Sequence, residues 1–235
     1  MKISIVIPTL NEDLFIEKLI KSLLNQSLKP YEIIVVDGGS NDKTTEIIKK
    51  LSKKNKNVIL IQTSKGVGYQ RNVGGNKAKG DIIYFMDADT FPHKSFINNT
   101  LSEIKKRNLE FACPHYKPKP KTFLSILMFS FANFSFNLTQ KFASNGAGHC
   151  IILKKYIFDK IKFKEKMVYE DIEFLRRVGK KHKYGFLKDV IYVSSRRYKK
   201  EGIKLFFKYF ILSFFFAFGL FKLANKIEYK FSHYR

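Results

Sequence analysis

Ile82-Ile83-Tyr84-Phe85-Met86-Asp87-Ala88-Asp89 is an unbroken apolar run that ends in two carboxylates one residue apart. Five apolar residues without alternation suit a central parallel strand, buried on both faces. Upstream, the same kind of run recurs at Ile3–Ile7, closed by Pro8, at Ile33–Val36, closed by Asp37-Gly38-Gly39-Ser40, and at Val58–Ile61. Between these runs lie stretches of helical period: residues 13–25 carry Leu14, Phe15, Leu19, Ile20, Leu23 and Leu24, and Thr44–Lys54 carries Ile47, Ile48 and Leu51. Val67–Lys79 is read as a third helix. Regular strand–helix alternation argues for right-handed βαβ units and a mostly parallel central sheet with helices on both faces, an α/β fold.

In such a sheet, ligands sit beyond the carboxyl ends of the strands. The polar residues gather there: Thr9, Asn11 and Glu12 after the first strand, Asp37 after the second, Asp87 and Asp89 after the fourth. Paired carboxylates past a strand end can present oxygen to a hard divalent cation, Mg²⁺ or Mn²⁺. Such an ion would neutralise the charge that builds as a diphosphate leaves. Further along, Glu170-Asp171 opens an apparent helix, where a carboxylate is stabilised by the helix dipole or simply caps the helix. Adjacent Arg196 and Arg197 follow Ser194-Ser195 and suit phosphate oxygens.

The second half is less regular. It reads as a helix near 94–107, a strand near 109–113, a Pro- and Lys-rich loop from His115 to Lys121, an aromatic segment, and a glycine-containing turn at Asn145-Gly146-Ala147-Gly148. A strand at Cys150–Leu153, a helix over Glu170–Lys181 and strands near 184–187 and 190–194 follow. His149, beside Gly148, reads as a structural residue of the turn rather than as a metal ligand or acceptor contact.

The 235 residues fit one domain, and an apolar content of 45% is enough for a sizeable core. Lys and Arg number 44 against 20 acidic residues, a formal charge of +24, which favours anionic partners. The two cysteines, Cys113 and Cys150, lack metal-like spacing and imply reduced thiols rather than a disulfide framework. The apolar stretch at the N-terminus is too short for a secretory core. Tyr209–Phe221 is an uncharged run with six phenylalanines, shorter than the ~20 residues of a spanning helix. Lys204, Lys208, Lys222 and Lys226 would line one stripe of a helix over 203–226, the pattern of a helix lying in a membrane interface.

Several motifs, in order, resemble family 2 glycosyltransferases: Ile7-Pro8-Thr9-Leu10-Asn11-Glu12, Val35-Val36-Asp37-Gly38-Gly39-Ser40, Lys65-Gly66-Val67-Gly68-Tyr69-Gln70-Arg71-Asn72, the Asp87-Ala88-Asp89-Thr90 end, Tyr169-Glu170-Asp171 and Ser194-Ser195-Arg196-Arg197. The resemblance implies a GT-A fold over about residues 1–202, with a nucleotide-binding half over about 1–114 and an acceptor side over about 115–202; an aromatic, Lys-flanked helix would occupy 203–235. It also implies a nucleotide-diphosphate sugar donor, a UDP-sugar above others, and a divalent cation. Pro8, Thr9, Glu12 and Asp37 would line the nucleotide pocket, with Asp37 reading the base. Arg71 would lie by the base or phosphates, and Asp87 near the ribose. Asp89 would ligate the metal, Asp171 would be the general base of an inverting displacement, and Arg196 and Arg197 would hold the leaving diphosphate. The acceptor would be a glycan hydroxyl or a lipid-linked group at the cytoplasmic face of a membrane.

Two other classes compete. A nucleotidyltransferase shares the sheet and the acidic pair, but it calls for a glycine-rich basic loop after the first strand, where this chain has Thr9-Leu10-Asn11-Glu12. A basic, non-catalytic nucleic-acid or membrane binder fits the charge, yet the basic residues are dispersed and no nucleic-acid motif is present.

Overall fold

The computed structural model describes residues 1–140, 144–167 and 169–196. Arg197 and the aromatic segment 203–235 lie outside the described residues. The first half follows the sequence pattern closely: β1 (Ile3–Thr9), α1 (Ile16–Leu24), β2 (Glu32–Asp37), α2 (Thr44–Lys54), β3 (Val58–Gln62), α3 (Val67–Lys77) and β4 (Ile82–Met86). Every residue of β1, β2 and β4 is buried, the burial expected of strands covered on both faces. The second half holds β5 (Thr90–Phe91), α4 (Phe96–Lys106), β6 (Phe111–Lys119), α5 (Phe123–Thr139), β7 (Cys150–Lys154), α6 (Lys155–Lys160), α7 (Glu170–Gly179) and β8 (Tyr184–Ser194).

The eight strands of the described residues form one sheet in the order β3-β2-β1-β4-β7-β6-β8-β5. The β3-β2-β1-β4 half is parallel, with Thr9 level with Asp37 and Val6 level with Phe85. β7 is antiparallel to β4 and pairs Met86 with Cys150. β6 and β8 run parallel to each other, and β5 is antiparallel to β8, with Thr90 opposite Val193.

Two sequence expectations change here. The stretch from His115 to Lys119, expected as a loop, is the continuation of β6, and the two short strands near 184–187 and 190–194 are one strand, β8. The prolines are tolerated for a structural reason. Pro114 falls in the register shift between Cys113 and His115, and β7 pairs with β6 at Phe111 and Ala112, before the prolines begin. Proline is accepted at bulges and on open strand edges because no ladder hydrogen bond is lost. At Tyr116 the amide of Asn133 from α5 serves that edge: the Tyr116 N–H donates to Asn133 Oδ1 (3.0 Å) and Asn133 Nδ2 donates to the Tyr116 carbonyl (2.7 Å).

α3 packs on β1 and β2, and its glycines set how close it comes. A Cβ on Gly74 would lie 2.3 Å from Val6 Cγ1, and one on Gly75 2.4 Å from Phe158 Cζ. This explains why the segment has weak helical periodicity in sequence: its sheet-facing contacts are backbone rather than apolar side chain. Gly74→Val is expected to destabilise the protein by about 2 kcal/mol through overpacking, read as a lower urea midpoint. An unchanged midpoint would mean that α3 is not seated this tightly.

Candidate functional site

The carboxyl ends of β1, β2 and β4 and the start of α3 converge on one rim. Gln70, buried near the start of α3, ties two of those ends together: its Nε2 donates to the carbonyls of Thr9 (2.8 Å) and Val36 (2.7 Å). Asp37, fully buried, closes its own turn, accepting from the backbone N–H groups of Gly39 (3.1 Å) and Ser40 (3.0 Å) and from the Ser40 hydroxyl. Gly39 has φ +90°, a conformation that favours glycine. Pro8 and Thr9 are buried beside it, and Thr9 Oγ1 has no hydrogen-bond partner among the described residues.

The neighbouring residue of α3, Arg71, is the hub of the site. Its Nη1 donates to Glu170 Oε1 (2.6 Å), and its Nη2 to Asp87 Oδ1 (3.0 Å) and the Gly148 carbonyl (2.9 Å). The Gly148 N–H in turn donates to Asp171 Oδ2 (2.6 Å). A Cβ on Gly148 would stand 2.7 Å from that oxygen and 2.8 Å from Arg71 Nη2. Gly148 thus bridges the arginine, through its carbonyl, and the first turn of α7, through its N–H.

On the other side, Asp87 Oδ2 lies 3.0 Å from His149 Nδ1. One oxygen of Asp87, one of Asp89 and one ring nitrogen of His149 all fall within 4.8 Å of one another. Two carboxylates and an imidazole suit Mn²⁺ well, and Mg²⁺ through the carboxylates. His149, read from sequence as structural, therefore joins the acidic pair. Asp87, expected to approach the ribose, stands between Arg71 and His149.

Arg196 arrives from the far edge. The β5–β8 pairing carries the chain past Asp89, whose carbonyl accepts from the Ser194 N–H (3.0 Å). The guanidinium grips the Glu12 carboxylate with both Nη atoms, Nη1 to Oε2 at 2.8 Å, and lies 3.5 Å from Asp89 Oδ2. Of the residues expected at the site, the structure brings together Glu12, Arg71, Asp87, Asp89, Asp171 and Arg196, with Pro8, Thr9 and Asp37 at the adjoining strand ends. It adds Gln70, Gly148, His149 and Glu170.

The electrostatics are unusual for so basic a chain. Glu12, Asp87, Asp89, Glu170 and Asp171 outnumber Arg71 and Arg196. Burial pushes Glu170 up to about 8 against the pull of Arg71, with Asp171 and Asp87 adding to the rise. Burial also opposes ionisation of Asp87, but His149 and Arg71 together hold it below the ordinary carboxylate range. Glu12 is raised to about 7 by burial, opposed by Arg196 and reinforced by Asp89 and Asp87.

The folded pKa of Glu12 lies above its unfolded value, so its stabilising contribution is full below about 4.5 and disappears as pH climbs to about 7. Glu12→Gln has no such titration. The variant is therefore expected to gain on the parent by about 1–3 kcal/mol between those limits, read as the difference of two Tm–pH curves. A flat difference would refute the assignment.

Residues 4–162 match the sequence profile of Glycosyl transferase family 2. A Haemophilus influenzae protein described as an uncharacterized glycosyltransferase is 36% identical over 116 residues, which are 48% of this chain and 46% of that protein. The chain spans less than half the length of the curated relatives it matches. Among solved structures, Staphylococcus aureus TarS in complex with UDP-GlcNAc superposes with a TM-score of 0.67 at 24% identity, over 83% of this chain and 59% of that one. A Pyrobaculum calidifontis mannosyltransferase with GDP-Man and Mn²⁺ gives 0.67 at 18% identity, over 81% and 56%. These structures share the fold: a mixed α/β sheet, parallel in the half that supplies the strand-end residues and flanked by helices. With a profile match running through both acidic strand ends and the Arg71 segment, the chain belongs to glycosyl transferase family 2 and has the GT-A fold.

Proposed function

We propose that the protein transfers a sugar from a nucleotide-diphosphate sugar, with a UDP-sugar favoured, to a hydroxyl or lipid-linked acceptor, inverting the anomeric centre and requiring Mn²⁺ or Mg²⁺. The observation that carries this is a carboxylate-rich rim at the strand ends of a chain with a charge of +24. The Asp87 carboxylate, held in its charged form, disfavours a bare diphosphate; a cation held there reverses the sign. Asp89, Asp87 and His149 would hold the ion, which when bound stabilises negative charge on the leaving diphosphate. TarS and the mannosyltransferase are similar proteins whose structures contain UDP-GlcNAc and GDP-Man with Mn²⁺, respectively.

In this reading Asp171 accepts the proton of the acceptor hydroxyl as its oxygen attacks the anomeric carbon. The bond to the diphosphate breaks on the opposite face, so a single base suffices. The Gly148 N–H fixes one Asp171 oxygen. Pro8, Thr9 and Asp37 line the nucleotide side, with Asp37 shaping the turn that meets the base. Arg196, with Arg197 following it, receives the diphosphate by exchanging Glu12 for phosphate oxygens. The buried contacts of Arg71 favour a positioning role over direct nucleotide contact. Lys204, Lys208, Lys222 and Lys226, which flank an uncharged aromatic run in the sequence, support placement at a membrane, on its cytoplasmic face.

Thermal stabilisation by UDP, GDP, dTDP and CDP, each with and without Mn²⁺ or Mg²⁺, tests the donor site. One nucleotide is expected to raise Tm only with metal, by about 6 °C at a hundredfold excess over Kd. No response from any pair in the folded protein would overturn the reading.

A further inference from the structure

α5 is uncharged along its whole length, Phe123-Leu124-Ser125-Ile126-Leu127-Met128-Phe129-Ser130-Phe131-Ala132-Asn133-Phe134-Ser135-Phe136-Asn137-Leu138-Thr139. Its inner face is occupied: Ser125, Met128 and Phe129 are buried, Asn133 bonds to the backbone of β6, and Phe136 meets the Tyr116 ring. The opposite face is exposed and uncharged, and apart from Ser130 and Asn137 it is largely apolar. Phe123 is 85% exposed, Phe134 66%, Leu138 64% and Leu127 52%, with Ile126 beside them. At 100° per residue these five side chains share one arc of the helix. A helix on the surface of a water-soluble domain normally carries its charges on that arc. Basic residues precede the helix in the chain: Lys117, Lys119 and Lys121 are all exposed.

We propose that this face of α5 lies flat in the headgroup region of an anionic lipid bilayer. The proposal deepens the membrane-surface part of the reading above and does not depend on its chemistry. Seventeen residues make a rod of about 26 Å, and among the described residues no helix is long and apolar enough to cross a membrane. An apolar arc with lysines at its entry is the pattern of an interfacial helix, its side chains reaching the acyl boundary and its ammonium groups the phosphates. Charge complementarity favours lipid over a second copy of this chain, which would bring another +24 to the same face. The geometry also gives the docking a use. Tyr116 connects α5 to the site: its ring packs against Phe136 and against His149, with centroids 6.3 and 5.7 Å apart, and its hydroxyl donates to the Ala147 carbonyl at 2.9 Å. The width of α5 and the Tyr116 ring then separate a bilayer under the helix from His149 at the rim, which suits an acceptor whose lipid tail stays in the membrane.

The test uses the full chain with phosphatidylcholine vesicles, with and without phosphatidylglycerol, in a sedimentation assay. The parent is compared with Leu127→Glu/Phe134→Glu and with a tail variant, Phe214→Glu/Phe218→Glu. The parent is expected to pellet with the anionic vesicles, and the α5 variant to lose at least about tenfold in affinity, with Tm and solution mass unchanged. Four results would overturn the proposal. The parent could ignore anionic vesicles, or the α5 variant could bind like the parent, leaving any docking to the tail. A lowered Tm would show that the chain's own 197–235 segment covers the face. A parent dimer broken by the substitutions would give the face to a second copy. Metal-dependent nucleotide stabilisation, measured on the same samples, reports on the donor site independently, so a failed docking and a failed transferase reading are separable.

Discussion

Asp89→Ala is expected to abolish metal-dependent stabilisation by nucleotide and to slow nucleotide release from a UDP-sugar by about a thousandfold, with water standing in as acceptor. The size follows from removing one anionic ligand from an ion that contributes several kcal/mol of charge stabilisation, where each 1.36 kcal/mol is tenfold. The fold should not suffer. Asp89 stands in a crowd of like charges, and its field is one of the influences that push Glu12 upward. Removing it relieves that repulsion and gives up the 3.5 Å approach of Arg196, so the variant without ligand should melt close to the parent temperature. An Asp89→Ala protein that still responds to nucleotide only when Mn²⁺ is present would move the ion elsewhere. A response independent of metal in both proteins would remove the cation from the mechanism.

Why Asp89 could be singled out from sequence, while its partner His149 could not, comes down to the range of the interactions. β1, β2 and β4 are short apolar runs bounded by turn residues, and the parallel rule then places Thr9, Asp37 and Asp87 on one rim with no knowledge of side-chain contacts. The second half has no such period. In β6, Pro114 and Pro118 look like loop residues until the bulge and the open edge are known. α5 carries no charge and has aromatic or aliphatic side chains on every side, so its helical period is faint. His149 reaches the acidic pair because β7 runs antiparallel to β4 with Cys150 opposite Met86; that register sets residue 149 beside residue 87, and nothing local in Gly148-His149-Cys150 encodes it. Gln70 is a similar case, and so are the partners of Arg71, a residue that the family resemblance places at the site. Gln70 and Arg71 are buried polar residues on a helix with little apolar periodicity, and their partners come from Thr9, Val36, Asp87, Gly148 and Glu170. A helix whose packing face is glycine was the available signal: if glycines make the contact, the polar residues beside them are carried into the interior.

Asp171→Asn separates the base from the scaffold, because asparagine can keep the one contact that the structure assigns to this carboxylate. The Gly148 N–H donates to Asp171 Oδ2, and an asparagine carbonyl oxygen can accept the same bond. A shorter or apolar side chain would leave that N–H beside Arg71 without its partner and confuse the result. With the bond kept, nucleotide and metal should stabilise the variant as they do the parent. Turnover with a hydroxyl acceptor should fall by about 10²–10⁴, the usual contribution of a positioned general base. A parallel loss of nucleotide response would make Asp171 a structural member of the Arg71 network rather than the base. Turnover that persists with binding intact carries a different meaning. An acceptor that is already an anion, such as a lipid phosphate, surrenders no proton and needs no base. Survival of the Asn variant would therefore turn the acceptor from a hydroxyl to a phosphate, the group that a bilayer under α5 would present.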